Sequence, residues 1–397
     1  MDPRRRRVLL VILSTTLSGI MGNTLLAPAI PDILDDFGVS DGGAGVLIAA
    51  TALPGVFLAP VIGVLADRFG RRPLLVPCLA VFGLSGLGAA AAPTFTLLVV
   101  ARFGMGIGAA GLINLAVVLI GDHWEGDDRT RLVGRNAAFL TTCVAILPLV
   151  GGALTDLAGW RVALLPYGLA LVFAAFAWRT LEPGRPDTDA SLRDQLRALG
   201  PVLRRPDLLA VFASGVTVFV LVFGAFLAAI PLHLEDEFGF GATIRGLFLA
   251  LPALPSTIAA FNLQRLRAGL GTQRLLVVSG AMITIGFVLM GTAHVALLLA
   301  LGAVVYGFGE GVVIPSLQNI AVSTPARYRG TVVAVFVSST RLGQTVGPLA
   351  AAALFEATST FTALQVGAVL GVGLTALFVL GPFERSAERS EAAAPAS

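Results

Sequence analysis

Long apolar segments alternate with short polar segments along the whole chain. Most of the apolar segments hold about 20 residues, which is the length that an α-helix needs to cross roughly 30 Å of hydrocarbon. Apolar and polar residues do not alternate at every second position, as they would in the strands of a membrane barrel. The pattern predicts twelve membrane-spanning helices, at about 8–30, 43–66, 73–92, 95–120, 136–157, 161–180, 208–230, 244–262, 275–293, 296–320, 332–355 and 361–382.

The composition supports a membrane protein. Hydrophobic residues make up 56% of the chain and charged residues 13%, whereas soluble domains carry about 25% charged residues. So few charges cannot cover a water-facing surface. The start of the chain imitates a secretory signal, but its apolar segment is too long and many similar segments follow, so we expect no cleaved signal.

The arginines predict the orientation. All 27 basic residues are arginine, and 23 of them fall in the predicted inner segments if the N-terminus lies inside. Arg161 and Arg245 fall at the outer face, and Arg102 and Arg341 lie within spans. Basic residues are retained on the cytoplasmic side of membrane proteins, so we expect a plasma (inner) membrane protein with both termini cytoplasmic.

The longest predicted inner segment divides the chain into two halves. We expect an N-terminal six-helix bundle at 1–180, a cytoplasmic linker at 181–207, a C-terminal six-helix bundle at 208–382 and a cytoplasmic tail at 383–397. Leucines recur at helical spacing within the linker, which predicts either an amphipathic helix on the membrane surface or a plain linker helix.

The two halves look like repeats of each other. Pro148 and Pro348 stand in similar surroundings 200 residues apart, and the glycine-rich Gly104–Gly111 has a counterpart at Gly307–Gly311. Two copies of six helices in the same orientation are typical of transporters. The predicted fold class is an all-α membrane protein with two pseudo-symmetric six-helix halves.

The densest polar segment between two spans runs from Gly63 to Arg72. Gly63 and Asp67 are four residues apart and share one helix face, so the glycine lets a neighbouring helix approach. The aspartate then lies near the positive N-terminus of that neighbour. The arginines anchor the segment at the anionic inner leaflet.

This segment resembles the signature of the major facilitator superfamily between spans two and three, and the resemblance extends over nearly the whole chain. It implies a conformational latch between the halves; the alternative is a segment that only sets topology. The copy in the second half, at 263–269, lacks the aspartate. The matching residues are Gly63, Asp67, Arg68, Gly70, Arg71 and Arg72.

Two further motifs resemble the drug:proton antiporter branch of that family. Arg102 to Gly108 is similar to the fourth-span motif, and the cluster after Pro148 is similar to the fifth-span motif, with Leu147 where the family usually has glycine. A proline kinks a helix, which implies flexing helices; the alternative is ordinary packing, since glycine and proline are common in membrane helices. The flexing candidates are Pro148, Gly151, Gly152, Gly347 and Pro348.

Four charged residues are candidates for proton coupling, because an ionisable group inside the membrane is a functional candidate by default. Glu310 and Arg341 lie at comparable depth, so we expect them to pair or to share a cavity; Glu310 is either a proton-titrating group or half of a structural ion pair. The resemblance implies proton transfer for Arg102, and a structural role is the alternative. Asp32 lies near the outer end of span one, at the mouth of a pathway.

Milder polar and aromatic residues are candidates for lining a substrate cavity. An amide in hydrocarbon needs a partner, and aromatic walls suit drug-like substrates, although each aromatic ring can instead face lipid or fill the core. Phe226 and Phe308 belong to the same aromatic set. The candidates are Asn23, Asn114, Phe219, Phe223, Tyr306 and Gln344.

Other function classes lack a signal. The three histidines are far apart, the charged loop at Asp122 to Asp128 is better explained as a solvated turn than as a metal cluster, and no lysine exists to build a nucleotide-binding loop. Topology already explains the basic clusters. We therefore expect no enzyme activity, metal, cofactor or nucleic acid, and a monomer.

The sequence favours export of small amphipathic or drug-like molecules by proton antiport with alternating access. The expected partners are the substrate, protons and the lipid bilayer. Proton-coupled or facilitative uptake of a nutrient or metabolite is the alternative; more charged groups in the cavity would favour it. A membrane receptor or scaffold would be expected to carry a large soluble domain.

Overall fold

A computed structural model of the chain describes residues 2–182, 200, 202–324 and 326–383. The described residues form helices joined by short connections and contain no strand. Most of the linker helix predicted at 191–203, and the cytoplasmic tail from residue 384 onwards, lie outside the described residues.

The helices of the first half follow the predicted spans, and several spans consist of more than one helix. A 3₁₀ turn at Ala27–Ala29 joins the two helices of span one, and another at Leu165–Gly168 joins those of span six. The helices are α1 (Pro3–Thr24), α2 (Ile30–Phe37), α3 (Gly42–Phe69), α4 (Arg72–Ala90), α5 (Phe95–Ala109), α6 (Leu112–His123), α7 (Gly126–Ala158), α8 (Trp160–Leu164) and α9 (Leu169–Thr180).

The second half repeats this series. A π-helical segment at Leu221–Ala228 interrupts span seven, and span eight is split between two helices. The helices are α10 (Pro206–Val220), α11 (Ala229–Phe238), α12 (Ala242–Ala250), α13 (Ala253–Phe261), α14 (Leu263–Leu270), α15 (Thr272–Met290), α16 (Ala296–Val322), α17 (Ala326–Ala357) and α18 (Thr360–Leu380).

Helix length and apolarity confirm a multi-pass membrane protein. Among the described residues, 11 helical segments are long and apolar enough to cross a membrane. The predicted span at 332–355 lies within α17, a helix of 32 residues that is not among the 11. Its Arg341, Gln344 and several hydroxyl side chains make it more polar than the other spans.

The chain forms two compact units. The first comprises Met1–Ala190 and Phe240–Ala250, and the second comprises Ser191–Gly239 and Leu251–Ser397. The helices of each half thus pack together, except that α12 packs with the first unit although it follows span seven in the chain.

Glycines let helix backbones approach closely in the first unit. A Cβ atom placed on Gly106 of α5 would lie 2.4 Å from the Thr51 carbonyl oxygen of α3, and one on Gly108 would lie 2.6 Å from the Cys78 carbonyl oxygen of α4. No side chain larger than hydrogen fits such contacts. The predicted glycine-rich fourth span is therefore a packing surface for two neighbouring helices.

The second unit repeats this packing with different residues. A Cβ atom on Gly311 of α16 would lie 2.3 Å from the Ser256 carbonyl oxygen of α13, and one on Gly309 would lie 2.6 Å from the Ser279 carbonyl oxygen of α15. Helix α16 therefore contacts its two neighbours in the same way as α5 does, which confirms the internal repeat predicted from the glycines.

We expect Gly286→Ala to destabilise the second unit. The added Cβ atom would lie 2.7 Å from the Tyr306 Cβ and 2.8 Å from its backbone nitrogen, so α15 and α16 must separate. Overpacking of this kind costs roughly 1–3 kcal/mol. The measurement is the free energy of unfolding during titration with SDS in mixed micelles. Gly373→Ala is the control, because nothing lies within 4 Å of its added Cβ atom; equal stability of the two variants would contradict the packing described.

Candidate functional site

Arg102 is the central polar group of the first unit. It lies on α5 with an exposed fraction of 0%. Its Nε donates to the Leu47 carbonyl oxygen at 3.3 Å, its Nη1 donates to the Gly22 carbonyl oxygen at 2.6 Å and its Nη2 donates to Asn23 Oδ1. No described carboxylate forms an ion pair with Arg102. The guanidinium is thus satisfied by neutral oxygens from spans one and two.

The end of α1 makes this network possible. Helix α1 ends at Thr24, and carbonyl groups in the last turn of a helix lack intrahelical partners. The Gly22 carbonyl oxygen accepts from Arg102 and also from the Tyr167 hydroxyl at 2.9 Å. Tyr167 is fully buried, so span six joins the same network. These contacts support a structural role for Arg102, and its role in proton transfer stays a prediction.

Helix α12 is held on the first unit by two aspartates. The buried Arg245, with an exposed fraction of 1%, forms an ion pair with Asp32 of α2. At the start of α12, Asp156 of α7 accepts from the backbone nitrogen of Ala242 at 2.9 Å and from that of Thr243 at 2.8 Å. A carboxylate at a helix N-terminus is favourable, so α12 is bound at its start and at its middle.

Glu310 is the central acidic group of the second unit. It lies half-buried near the middle of α16, about 20 Å from its start at the helical rise of 1.5 Å per residue. The Tyr306 hydroxyl, one turn earlier on the same helix, lies beside its carboxyl group. A charged carboxylate in such a place is costly, and a role of Glu310 in proton coupling stays a prediction.

The predicted ion pair between Glu310 and Arg341 is wrong. Nothing in the described part of the chain joins their charged groups within ion-pair distance. Instead, Arg341 Nη1 donates to Gln344 Oε1 at 3.0 Å, one turn further along α17. The hydrogen-bond partner of this guanidinium is thus an amide on its own helix and not the carboxylate of Glu310. A cavity shared by the two residues stays a prediction.

A comparison with protein families decides what kind of protein this is. The model of the Major Facilitator Superfamily matches residues 12–325 and 215–397. The chain belongs to the major facilitator superfamily. This assignment confirms the resemblance found in the sequence, and it agrees with the duplicated helical fold.

Similar proteins include one that is named as an exporter and two that are named for drug resistance. The tetracycline resistance protein, class C, of Escherichia coli is 30% identical over 92% of this chain and 95% of its own length. The bacillibactin exporter of Bacillus subtilis (strain 168) is 25% identical over 88% of this chain and 90% of its own. Multidrug resistance protein 1 of the same organism is 25% identical, with coverage of 93% and 95%. The family and these relatives are transporters.

Solved structures of the superfamily share the fold. A bacterial homologue of the human lysosomal transporter Spinster aligns with a TM-score of 0.73 over 100% of both chains, at 17% identity. The nucleoside transporter NupG aligns with a TM-score of 0.74 over 96% of this chain and 98% of its own, at 14% identity. Identities this low establish the fold alone.

The superfamily signature segment makes its described contacts within the first unit. Arg71 Nε donates to Asp122 Oδ2 at 2.9 Å, and the Arg72 guanidinium lies 3.9 Å from the centre of the Trp178 ring. Gly70 ends α3 with a φ of 89°, and Arg68 is exposed beside Phe69. The side chain of Asp67 lies outside the described residues. The role of the segment as a latch stays a prediction.

One physical expectation for this segment is wrong. We expected Gly63 to let a neighbouring helix approach, but a Cβ atom placed there would meet nothing within 4 Å. The close contact of α3 occurs three turns earlier, where Thr51 meets Gly106. The glycine at position 63 therefore faces open space.

The predicted flexing residues are points of close helix contact. In the first unit, a Cβ atom on Gly151 would lie 2.0 Å from the Leu25 carbonyl oxygen, and one on Gly152 would lie 2.2 Å from that of Ala242. In the second unit, a Cβ atom on Gly347 would lie 2.7 Å from Val220 Cα. Pro148 and Pro348 lie inside α7 and α17. These contacts explain the glycines by packing, and flexing stays a prediction.

The predicted cavity residues lie in different surroundings. Asn23 binds Arg102, Gln344 binds Arg341, and Asn114 is exposed on α6. Phe219 and Phe223 stack with ring centres 6.1 Å apart. A role for these residues in substrate binding stays a prediction.

Tyr306 belongs to the aromatic core of the second unit. It is almost fully buried, between Phe226 at 5.0 Å and Phe287 at 5.3 Å between ring centres. Its ring therefore packs among aromatic side chains, and its buried hydroxyl has no hydrogen-bond partner among the described residues.

Sequence reasoning missed several polar residues of the two units. Asp156, Tyr167 and Arg245 were not candidates, although each makes a long-range contact at a helix end or interface. His233 is also fully buried, with its Nδ1 3.1 Å from Thr360 Oγ1. The available signal was the polar residue inside an apolar span, which applies to Tyr167; His233 lies just beyond the predicted end of span seven, and the structure extends that span to Phe238.

We expect Arg102→Lys to destabilise the first unit. A lysine keeps the charge but cannot reach three acceptors on two helices in the fork geometry of a guanidinium. Each buried acceptor left without a partner costs about 1–3 kcal/mol. The measurement is again the free energy of unfolding in SDS titration. The exposed Arg131→Lys on α7 is the matched control; if both variants unfold alike, the network around Gly22 is not what holds spans one, two and four together.

Proposed function

We propose that this protein exports small amphipathic molecules in exchange for protons by alternating access. One observation carries the proposal: the Glu310 carboxyl group lies in the middle of a membrane-spanning helix without an arginine partner among the described residues. The similarity to resistance proteins and to an exporter supports the direction of transport.

The surroundings of Glu310 favour a change of protonation. A charged group inside the membrane is costly, and a neighbouring arginine would remove that cost by pairing with the carboxylate. Arg341 donates to Gln344 and forms no ion pair with Glu310 among the described residues, so no neighbouring arginine holds the carboxyl group of Glu310 in its charged form. Binding and release of a proton by this group then distinguish two states of the transport cycle, as a coupled exchanger requires.

The proposed substrates are amphipathic because the interior is mostly apolar. The stacked rings of Phe219 and Phe223 offer an apolar surface on span seven, and apolar walls with few polar groups are typical of sites for drug-like ligands. Tetracycline and chloramphenicol are suitable first probes, since similar proteins are named as resistance proteins for these compounds.

The proposed orientation places both termini in the cytoplasm. The arginine distribution supports it, because 23 of 27 arginines then face the cytoplasmic side in agreement with the positive-inside rule. In this orientation the signature segment is cytoplasmic, and the ion pair of Asp32 with Arg245 lies at the external side.

Substitution of Glu310 tests the antiport mechanism. In vesicles with an imposed pH gradient, we expect Glu310→Gln to abolish gradient-driven movement of tetracycline while leaving the exchange of labelled for unlabelled tetracycline at equal pH. The amide has the shape of the acid but cannot release a proton. The measurement compares both modes of transport in the same preparation.

Two further variants make this test specific. Asp35→Asn, an exposed carboxylate on α2, is the control for loss of any negative charge. Asp32→Asn tests the other carboxylate candidate. If only this variant uncouples tetracycline transport from the pH gradient, the proton-binding group is Asp32 at the mouth of the pathway and not Glu310. Unchanged gradient-driven transport in Glu310→Gln would exclude the proposed role. Accumulation against the expected direction would favour the uptake alternative.

Labelling with a membrane-impermeant maleimide tests the orientation. In a background with Cys78 and Cys143 replaced by serine, we expect His294→Cys to react in intact cells, because it lies in the predicted outer loop and its side chain is largely exposed. We expect Arg68→Cys to react only after the membrane is permeabilised. The reverse result would overturn the orientation without affecting the fold.

A further inference from the structure

An open basic pocket lies at one end of the first unit. Its volume is about 600 Å³, and side chains from three helix ends line it. They come from the start of α1, the start of α4 and the end of α9. The residues that matter are Arg4, Arg7, Arg72, Trp178, Arg179 and Glu182.

The charge in this pocket is only partly balanced. Four arginines line it with a single carboxylate, and Arg4 forms an ion pair with that carboxylate on Glu182. Arg7 and Arg179 are exposed. The remaining positive charge can receive an anion with several acceptor oxygens, for which guanidinium groups are well suited.

The Arg72 side chain is ordered and has a donor that is free in the described part of the chain, so it can contribute to the binding of such an anion. Its guanidinium lies 3.9 Å from the centre of the Trp178 ring, an arrangement that orders the side chain. Its Nε is buried and has no hydrogen-bond partner among the described residues. The Arg72 guanidinium is thus ordered by Trp178 and still has a donor without an acceptor in the structure described. Both features favour binding of a ligand that supplies an acceptor oxygen.

An apolar surface leads directly to the pocket. Leu169, Val172 and Ala175 recur at helical spacing along span six and are exposed, with a fraction of 63% for Val172, and the next position of this series is Arg179 of the pocket. Trp178, exposed to 57%, precedes Arg179 in the chain. In a membrane this face contacts acyl chains. Trp178 lies where tryptophan is enriched, at the boundary between hydrocarbon and headgroups.

We propose that this pocket binds the phosphate headgroup of an anionic phospholipid. The phosphate lies among Arg7, Arg72 and Arg179, the glycerol region lies beside Trp178, and the acyl chains follow the exposed face of span six. Basic pockets between membrane helices are suited to anionic headgroups, and the adjoining apolar surface favours a phospholipid over a free phosphate ion. The site shares Arg72 with the signature segment, and it contains none of the groups proposed to bind protons or substrate.

Fluorescence quenching tests this site in the unmodified protein. Of the three tryptophans, Trp124 and Trp160 are buried and Trp178 is exposed. The full chain is placed in vesicles of two compositions with equal bromine content. In the first, phosphatidylglycerol carries bromine on its acyl chains near the headgroup and phosphatidylcholine is unlabelled; in the second, phosphatidylcholine carries the bromine and phosphatidylglycerol is unlabelled. We expect brominated phosphatidylglycerol to quench the Trp178 signal more strongly. Trp178→Phe supplies the background signal.

Substitutions test which arginines hold the lipid. We expect the double variant Arg7→Gln/Arg179→Gln to bind phosphatidylglycerol roughly 30-fold more weakly, which equals about 2 kcal/mol at 1.4 kcal/mol per tenfold change, as expected for two basic groups beside an anionic headgroup. The double variant Arg129→Gln/Arg131→Gln loses the same charge from the exposed start of α7 and is the matched control. The affinities are measured by native mass spectrometry of the protein titrated with lipid in detergent.

Three results would overturn the proposal. Equal quenching by the two brominated lipids would show that the site does not select an anionic headgroup. Equally weakened binding of phosphatidylglycerol in the two double variants would show that net charge alone, and not the pocket, determines the affinity. Displacement of phosphatidylglycerol by millimolar inorganic phosphate, with no preference for the lipid, would assign the pocket to a free anion. If the substituted proteins fail to fold, the quenching experiment on the unmodified chain still decides.

Discussion

Close contact between helix backbones is the constraint on which both units depend. Lipid tails are as apolar as the helix surfaces, so the hydrophobic effect does not hold membrane helices together, and small residues that allow close packing do. Gly106 and Gly108 in the first unit, and Gly309 and Gly311 in the second, bring a carbonyl oxygen of a neighbouring helix to positions that a Cβ atom would occupy. These contacts place the charged side chains of the same two spans.

The two units use this shared packing to hold opposite charges. Arg102 of the first unit is surrounded by carbonyl and amide oxygens that satisfy it without a carboxylate. Glu310 of the second unit lies beside a tyrosine hydroxyl and has no cationic partner among the described residues. A satisfied arginine stabilises one arrangement of helices, whereas an unpaired carboxyl group can gain and lose a proton. The duplicated fold therefore places a hydrogen-bonded arginine in one unit and a carboxyl group without an ion-pair partner among the described residues in the other.

Much of the fold was predictable from local pattern. The lengths of the apolar segments located the helices, and the spacing of Gly104–Gly111 and Gly307–Gly311 revealed the repeat. The contacts were less predictable. Depth along a helix placed Glu310 and Arg341 at the same level, but depth does not determine the direction of a side chain, and Gln344 on the same helix was the nearer partner. For the same reason Gly63, on the expected face of α3, has no neighbour.

The sequence by itself determined the membrane-spanning helices, their duplication and the family, because hydrophobic length, charge asymmetry and recurring motifs are properties of the chain read in order. Only the tertiary structure decided which oxygens satisfy Arg102, that α12 is bound by Asp32 and Asp156, and that arginines from three helix ends form one pocket beside Trp178. Those contacts join residues far apart in the chain, and they follow from the rotation and crossing of packed helices, which no local pattern encodes.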